Sequence, residues 1–321
     1  MHLIGIDIGG TKVSICLGDV HGNIISHQHI KTLHLGGPKE GIKRLLKQID
    51  LLLDAHNMHI NQIDGIGLAL PGPLSIKDGI LIAPPNLPGW INVPIVHHFQ
   101  KHLDRPIFMN NDANAGALAE WMFGSAKNVE HLIYLTMSTG IGGGIVLRGE
   151  LLMGRSDSAG EVGHFVLDPQ GPQCPCGQKG CFEVFCGGGN IAKMLQIKIR
   201  QGKKTKILDE AGRVENVDMK SLISAMQKQD PFAMEVWEIY IEKLAQGIGI
   251  LLMVLNPDAI ILGTIAMYTP QELMMTPLLA ALPRFTWSIP LKQCRIEASK
   301  LGKKIGDLGA LSLAINGLKT L

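Results

Sequence analysis

Between Gly160 and Gly189 the chain reads GEVGHFVLDPQGPQCPCGQKGCFEVFCGGG. Four soft ligands fall in this stretch, His164, Cys174, Cys176 and Cys181, and two carboxylates bracket them, Glu161 and Glu183. One histidine with three thiolates is a ligand set for tetrahedral Zn²⁺, and four protein ligands leave no coordination position for water, so the expected metal is structural. Gly171, Pro172, Pro175, Gly177 and Gly180 fill the gaps, as a chain turning sharply around an ion requires. Whatever else the chain does, this segment is expected to close as a knuckle on zinc and to hold the loop between the two glutamates in shape.

The remainder has room for two domains: 321 residues against ~150 per domain. At 46% hydrophobic and 18% charged it is globular, with a large core. A net charge of +2, with no basic block and no arginine stripe interleaved with aromatics, gives no footprint for nucleic acid. The longest apolar run, near Ile248 to Leu255, is well short of the ~20 residues of a membrane helix. The first residues lead straight into a strand, with no pattern of a secretory leader. Clustered cysteines beside a histidine fit a reduced, cytoplasmic metal site better than a disulfide framework. Cys16, Cys186 and Cys294 read as small buried apolar residues.

Along the chain, His2 to Ile8 is an apolar run holding Asp7, broken by Gly9-Gly10-Thr11-Lys12 and followed by a second strand, Val13 to Gly18. A Gly-Gly-Thr turn exposes backbone N–H groups that can cradle phosphate. It is neither a Walker loop nor a dinucleotide fingerprint, because no helix follows the glycines. Gly41 to His56 has helical periodicity, and Ile63 to Leu70 is a buried strand. Ala83 to Trp90 is a proline-rich loop carrying Asn86. The strand Pro106 to Met109 runs into Asn110-Asn111-Asp112-Ala113-Asn114 and then a small-residue helix. Helix capping needs one such polar residue. Four in five at the end of a buried strand point to a ligand edge. His131 to Met137, the turn Ser138 to Gly144, and Ile145 to Leu147 repeat the strand–glycine turn–strand device of the N-terminus, which points to a duplicated architecture gripping phosphate twice. Gln201 to Val217 reads as a lid or peripheral hairpin, Met219 to Gln227, Pro231 to Leu255 and Pro270 to Ala281 as helices, Ala259 to Leu262 and Cys294 to Ala298 as strands, and a last helix starts near Gly306.

D-I-G-G-T-K at Asp7 to Lys12, N-D-A-N at Asn111 to Asn114, S-T-G-I-G-G-G at Ser138 to Gly144 and E-V-G-H…C-P-C-G-Q-K-G-C-F-E at Glu161 to Glu183 occur in order over nearly the whole chain. In these motifs the sequence resembles the ROK family (repressors, open reading frames, sugar kinases), and within it bacterial ATP-dependent glucokinases, on A-P-P-N-L-P-G-W at Ala83 to Trp90 and D-P-Q-G-P-Q-C-P-C-G at Asp168 to Gly177. The resemblance implies an α/β actin/hexokinase-like (ribonuclease H-like) fold of two domains with a cleft between them, 1–115 plus 305–321 and 116–304. It implies phosphorylation of glucose at the 6-hydroxyl, with N-acetylmannosamine, N-acetylglucosamine, mannose or fructose as alternative acceptors, and ATP with Mg²⁺ as donor. It implies a homodimer working on small molecules, without nucleic acid or membrane. Asp112 would be the general base. Asn111, Glu161, His164 and Glu183, with Asn86 as a further candidate, would bind sugar hydroxyls. Gly9, Gly10, Thr11, Lys12, Thr139, Gly140 and Gly142 would hold phosphates, Gly263 would belong to the adenosine turn, and Asp7 would orient Mg²⁺ through water. Departures from the family pattern are Ser138 and Thr264, where glycine is usual, and Cys186-Gly187-Gly188-Gly189 after the metal segment.

Overall fold

The computed structural model describes residues 1–127 and 129–321. They form two compact units, Met1–Val129 with Gly144–Gly160 and Leu301–Leu321, and Glu130–Gly143 with Glu161–Lys300.

The first unit holds β1 (His2–Ile8), β2 (Lys12–Asp19), β3 (Ile24–Lys31), β4 (Ile63–Leu70), the small hairpin of β5 (Leu74–Ser75) and β6 (Ile80–Leu81), and β7 (Ile107–Asn111). The main sheet has the order β3-β2-β1-β4-β7. β1 is antiparallel to β2 and parallel to β4, and β4 is parallel to β7. Leu3, Ile4 and Ile6 are all fully buried, so β1 is covered on both faces, as its unbroken apolar run requires. One face packs on the helix Pro38–Asp54, whose Ile42, Leu45, Ile49 and Leu52 join Ile6, Ile15 and Leu68 in one extended apolar cluster. The helix Ile305–Leu318 covers the other face, with Leu311, Ala314 and Ile315 against Leu3 and Cys16. This approach is close enough to dictate sequence. A Cβ at Gly67 would lie 1.8 Å from the carbonyl oxygen of Ala310. The expected return of the last helix to the first unit is therefore enforced by a glycine in β4.

The second sheet comprises β8 (His131–Met137), β9 (Ile141–Leu147), β10 (Glu150–Leu151), β11 (Ala259–Leu262) and β12 (Arg295–Ala298), in the order β10-β9-β8-β11-β12. β8, β11 and β12 run parallel. Strand for strand, this order repeats the first sheet, so the duplication read from the two glycine turns extends to both sheets. The long helix Pro231–Leu255 is N-capped by Asp230, which accepts from the Ala233 N–H at 2.8 Å. It ends at Asn256 in the left-handed conformation, φ 44°.

The unit bounds differ from those expected. The helix Asp112–Phe123 and the segment Gly144–Gly160 belong with the first unit. Small residues are the reason: a Cβ at Gly309 would lie 3.1 Å from the backbone of Ala115, and one at Gly144 would lie 2.3 Å from the carbonyl oxygen of Ala113. Gln201 to Val217 is not a hairpin. It holds a short helix, Lys206–Ala211, whose N-cap Thr205 accepts from the Ile207 N–H at 3.2 Å. The helix expected over Pro270 to Ala281 spans only Met275–Ala281. No helix among the described residues is long and apolar enough to cross a membrane.

Candidate active site

In the first unit the turn between β1 and β2 is closed by its own backbone: the Gly9 N–H donates to the Lys12 carbonyl at 3.0 Å, and the Thr32 hydroxyl donates to the Gly9 carbonyl at 2.7 Å. Gly10, Thr11 and Lys12 are exposed, and the Asn86 side chain lies beside Gly10, 3.4 Å from where its Cβ would be. Asp7 sits one residue before the end of β1. Burial, reinforced by the charges of Asp112 and Asp307 and opposed by Lys12, pushes its carboxyl up to about 7. Asp7 thus stands just before the Gly9 to Lys12 turn, and Asp112 is close enough for its charge to be felt at Asp7.

β7 delivers the amide cluster. Asn110 and Asn111 are its last residues and Asp112 opens the helix. Asn111 is the N-cap, its Oδ1 accepting from the Asn114 N–H at 2.7 Å. The Asn110 Oδ1 accepts from the Asn111 N–H and from the Asn114 side chain, both at 2.8 Å. The polar run therefore serves capping and site together. Asn110 and Asn114 brace Asn111, and Asp112 is left on the exposed first turn.

A third acid, Asp307, was not singled out by sequence. It accepts from Ser14 Oγ at 2.5 Å, and its other oxygen lies 3.1 Å from His27 Nδ1. The signal for it was an aspartate in the first turn of a helix whose other residues, Ser312 and Asn316 apart, are Ala, Leu, Ile and Gly.

In the second unit the ligand atoms of His164, Cys174, Cys176 and Cys181 all lie within 4.8 Å of one another. Cys174 Sγ is 3.7 Å from His164 Nδ1, and Cys176 Sγ is 3.6 Å from Cys181 Sγ. A tetrahedron with Zn–S bonds of ~2.3 Å has S···S edges of about 3.8 Å, so the quartet fits the ion. The knuckle depends on Gly177 (φ 97°) and Gly180 (φ 66°). Burial pushes the Cys174 thiol up and the Cys181 thiol up to about 12, whereas the Gln178 backbone N–H draws Cys176 down. A divalent cation among them would favour the thiolates that burial disfavours. His164 turns Nδ1 toward the sulfurs, which leaves Nε2 as the nitrogen that can face a substrate.

The knuckle leads into the helix Phe182–Cys186. Phe182 is fully buried, stacked on Phe165 at 5.3 Å, and fits against the long helix because Gly247 has no Cβ. Glu183 then reaches the second glycine turn, where its Oε2 accepts from the Ile141 N–H at 2.9 Å. Glu161 lies at the start of the short turn Val162–His164, exposed. The Gly188 and Gly189 N–H groups donate to the Ser138 and Thr139 carbonyls at 2.8 and 2.9 Å. Gly142 lies within β9 and not in the turn, which ends at Gly140. Gly263 follows β11, where a Cβ would be 2.2 Å from the Tyr134 hydroxyl.

The chain is similar to known proteins. The ROK family model matches residues 3–316. The chain is 31% identical to the glucokinase of Thermotoga maritima over 98% of its own length and 97% of that protein. It is 29% identical to the xylose repressor of Caldicellulosiruptor bescii over 98% of its length and 78% of the repressor. The ROK hexokinase of Thermus thermophilus superposes with a TM-score of 0.85 at 30% identity, each chain covered completely, which gives this protein the actin/hexokinase-like two-domain fold. Sequence motifs, duplicated sheets and these likenesses agree: the chain belongs to the ROK family.

Proposed function

We propose that the protein is an ATP-dependent sugar kinase and that its acceptor is glucose, phosphorylated at the 6-hydroxyl. Family membership supports the coarser reading, sugar phosphorylation. The observation that carries the assignment to this chain is the grouping of Asp112, Asp7 and the exposed Gly10-Thr11 turn within one unit. Phosphoryl transfer asks little covalent chemistry of a protein; it needs positioning, charge stabilisation and a base at the attacking hydroxyl. Asp112 is assigned as that base, taking the proton of the sugar hydroxyl as it attacks phosphorus. Asn111, held by its capping bond, Asn86, Glu161, His164 and Glu183 are assigned to sugar hydroxyls. Carboxylates suit these because each accepts more than one hydrogen bond. Gly9, Gly10, Thr11, Lys12, Thr139, Gly140, Gly142 and Gly263 are assigned to the nucleotide, and Asp7 to water-mediated contact with Mg²⁺, which would neutralise phosphate charge. Zinc on His164 Nδ1 would fix Nε2 as an N–H donor toward a sugar oxygen. We further read the protein as a cytoplasmic homodimer, on family grounds.

Glucose is favoured over N-acetylmannosamine, N-acetylglucosamine, mannose and fructose by the two glucokinase-like motifs around Asn86 and Asp168. A sugar sensor without catalysis is the reading from another class, and the presence of Asp7, Asp112 and both glycine turns speaks against it. The test is ADP release from Mg-ATP by zinc-loaded protein with the five sugars side by side. Glucose should be preferred, and Asp112→Asn should lower kcat by roughly 10²–10⁴ with sugar binding kept. Turnover on an acetamido sugar instead would move the acceptor, and near-wild-type turnover by Asp112→Asn would remove the base.

A further inference from the structure

Asn110, the next-to-last residue of β7, is 5% exposed, and Asn114 is fully buried. Their side-chain amides can be oriented in one way only. The Asn111 N–H is a donor, so the side-chain atom 2.8 Å from it must be the Asn110 oxygen. That oxygen lies 2.8 Å from the Asn114 amide as well, so Asn114 must present its nitrogen there. Two groups are left over. The Asn114 Oδ1 is buried with no hydrogen-bond partner among the described residues. The Asn110 Nδ2 is turned away from Asn111, and the acceptor it meets is the thioether of Met153, at 3.4 Å. The Asn114 nitrogen reaches the same sulfur at a longer 3.9 Å. A thioether is a weak acceptor and an orphaned buried carbonyl is costly. What the arrangement secures in return is the Asn110 oxygen on the Asn111 N–H.

Met153 is aimed at the pair by its own loop. It follows β10, in a segment that belongs with the first unit. The Leu152 N–H donates to the Ile145 carbonyl at 2.8 Å, the Ala159 N–H donates to the Met153 carbonyl at 3.1 Å, and Gly154 turns the chain at φ 70°. The sulfur is therefore placed by backbone, whereas the Asn110 amide is free to rotate about its last torsion. Without the sulfur, the Asn110 Nδ2 would be a buried donor lacking this acceptor. Turning the amide over would set that nitrogen against the Asn111 N–H, donor against donor.

We propose that Met153 is a positioning residue for the sugar acceptor: its thioether fixes the Asn110 amide, which holds Asn111 in the orientation assigned above to a sugar hydroxyl. This rests on the kinase reading. Two variants test it. Met153→Leu keeps the volume and removes the acceptor, a swap that packing tolerates. Met153→Gln has similar reach and supplies an oxygen acceptor. Sugar and ATP KM, kcat and melting temperature are measured for both and for wild type, with sugar binding in the absence of ATP followed by titration calorimetry. Met153→Leu should raise the sugar KM and Kd roughly three- to tenfold, the worth of about one hydrogen bond, with kcat and ATP KM little changed. Met153→Gln should recover most of that loss. A lower melting temperature with sugar KM unchanged in Met153→Leu, or a glutamine variant no better than the leucine one, would make Met153 a packing residue and overturn the assignment while leaving the kinase intact. No sugar-dependent ADP release by wild type would remove the kinase reading and this role together.

Discussion

The two glycine hairpins, Gly9–Thr11 between β1 and β2 and Ser138–Gly140 between β8 and β9, occupy the same place in two sheets of the same strand order. Their surroundings differ. The first closes on its own backbone and is also held by Thr32, whose N–H donates to the Thr11 carbonyl at 3.1 Å and whose hydroxyl donates to the Gly9 carbonyl, with the Asn86 side chain beside Gly10. The second closes on its own backbone as well, the Ser138 N–H donating to the Gly140 carbonyl at 3.0 Å, and is braced further by the Glu183 carboxylate on the Ile141 N–H and by the Gly188 and Gly189 N–H groups on the Ser138 and Thr139 carbonyls. The acid nearest each turn differs in the same sense. Glu183 is satisfied by a backbone donor, whereas Asp7 is held against two other carboxylates. One topology therefore yields a loop held by one flanking residue beside a frustrated acid and a loop packed tightly against the Glu183 to Gly189 segment. Conformation in the second should fail when the neighbours change; in the first, charge should be the sensitive quantity.

The largest effect is expected from a methyl group. At Gly188 a Cβ would lie 2.6 Å from the Ser138 carbonyl oxygen, and backbone cannot yield cheaply. Gly188→Ala should destabilise by about 2–4 kcal/mol, combining overpacking with a lost hydrogen bond. At Gly10 the nearest atoms are those of the Asn86 side chain at 3.4 Å, an ordinary contact, so Gly10→Ala should move stability by less than about 1 kcal/mol. Urea midpoints of the two variants decide the matter. Equal losses would mean that the hairpins are braced alike.

A smaller effect should follow removal of zinc. Chelation followed by exchange into Mg²⁺ frees the tautomer of His164, while Glu183 keeps its bond to Ile141. Sugar KM should rise roughly 10–100-fold, the usual consequence of losing such indirect support, with ATP affinity and far-UV circular dichroism little changed. A metal-free protein with normal sugar KM would uncouple the knuckle from the substrate.

Most of this contrast was legible only on one side. The metal quartet declares itself because Cys174, Cys176 and Cys181 are near in sequence and their chemistry is shared with little else. β1, its glycine turn and the amide run at Asn110 to Asn114 declare themselves because apolar runs and polar clusters are local signals. Asp307 could not be found this way: its partner Ser14 lies 293 positions away, and nothing near either residue marks the pairing. Gly187-Gly188-Gly189 was visible as a departure, but its cause is contact with carbonyls of another loop. Gln201 to Val217, read as a lid or peripheral hairpin, holds no hairpin; its polarity hid a short helix held by the Thr205 cap.

The finest expected effect concerns Asp7. Its folded carboxyl titrates at about 7, against ~3.9 for the unfolded chain. Between those values the folded protein keeps a proton that the unfolded chain has released, so this residue makes folding less favourable as pH rises from about 4 to about 7, and adds no further slope above. Asparagine cannot ionise. The stability of Asp7→Asn relative to wild type should therefore climb with pH through that window and then level off, read as the difference between urea midpoints at pH 5, 6, 7 and 8. Asp307→Asn removes one of the two charges raising the Asp7 value, so it should shift the same climb to lower pH without abolishing it. Parallel profiles for wild type and Asp7→Asn would mean that the first hairpin's acid is as well satisfied as the second's, and the contrast between the two regions would reduce to packing alone.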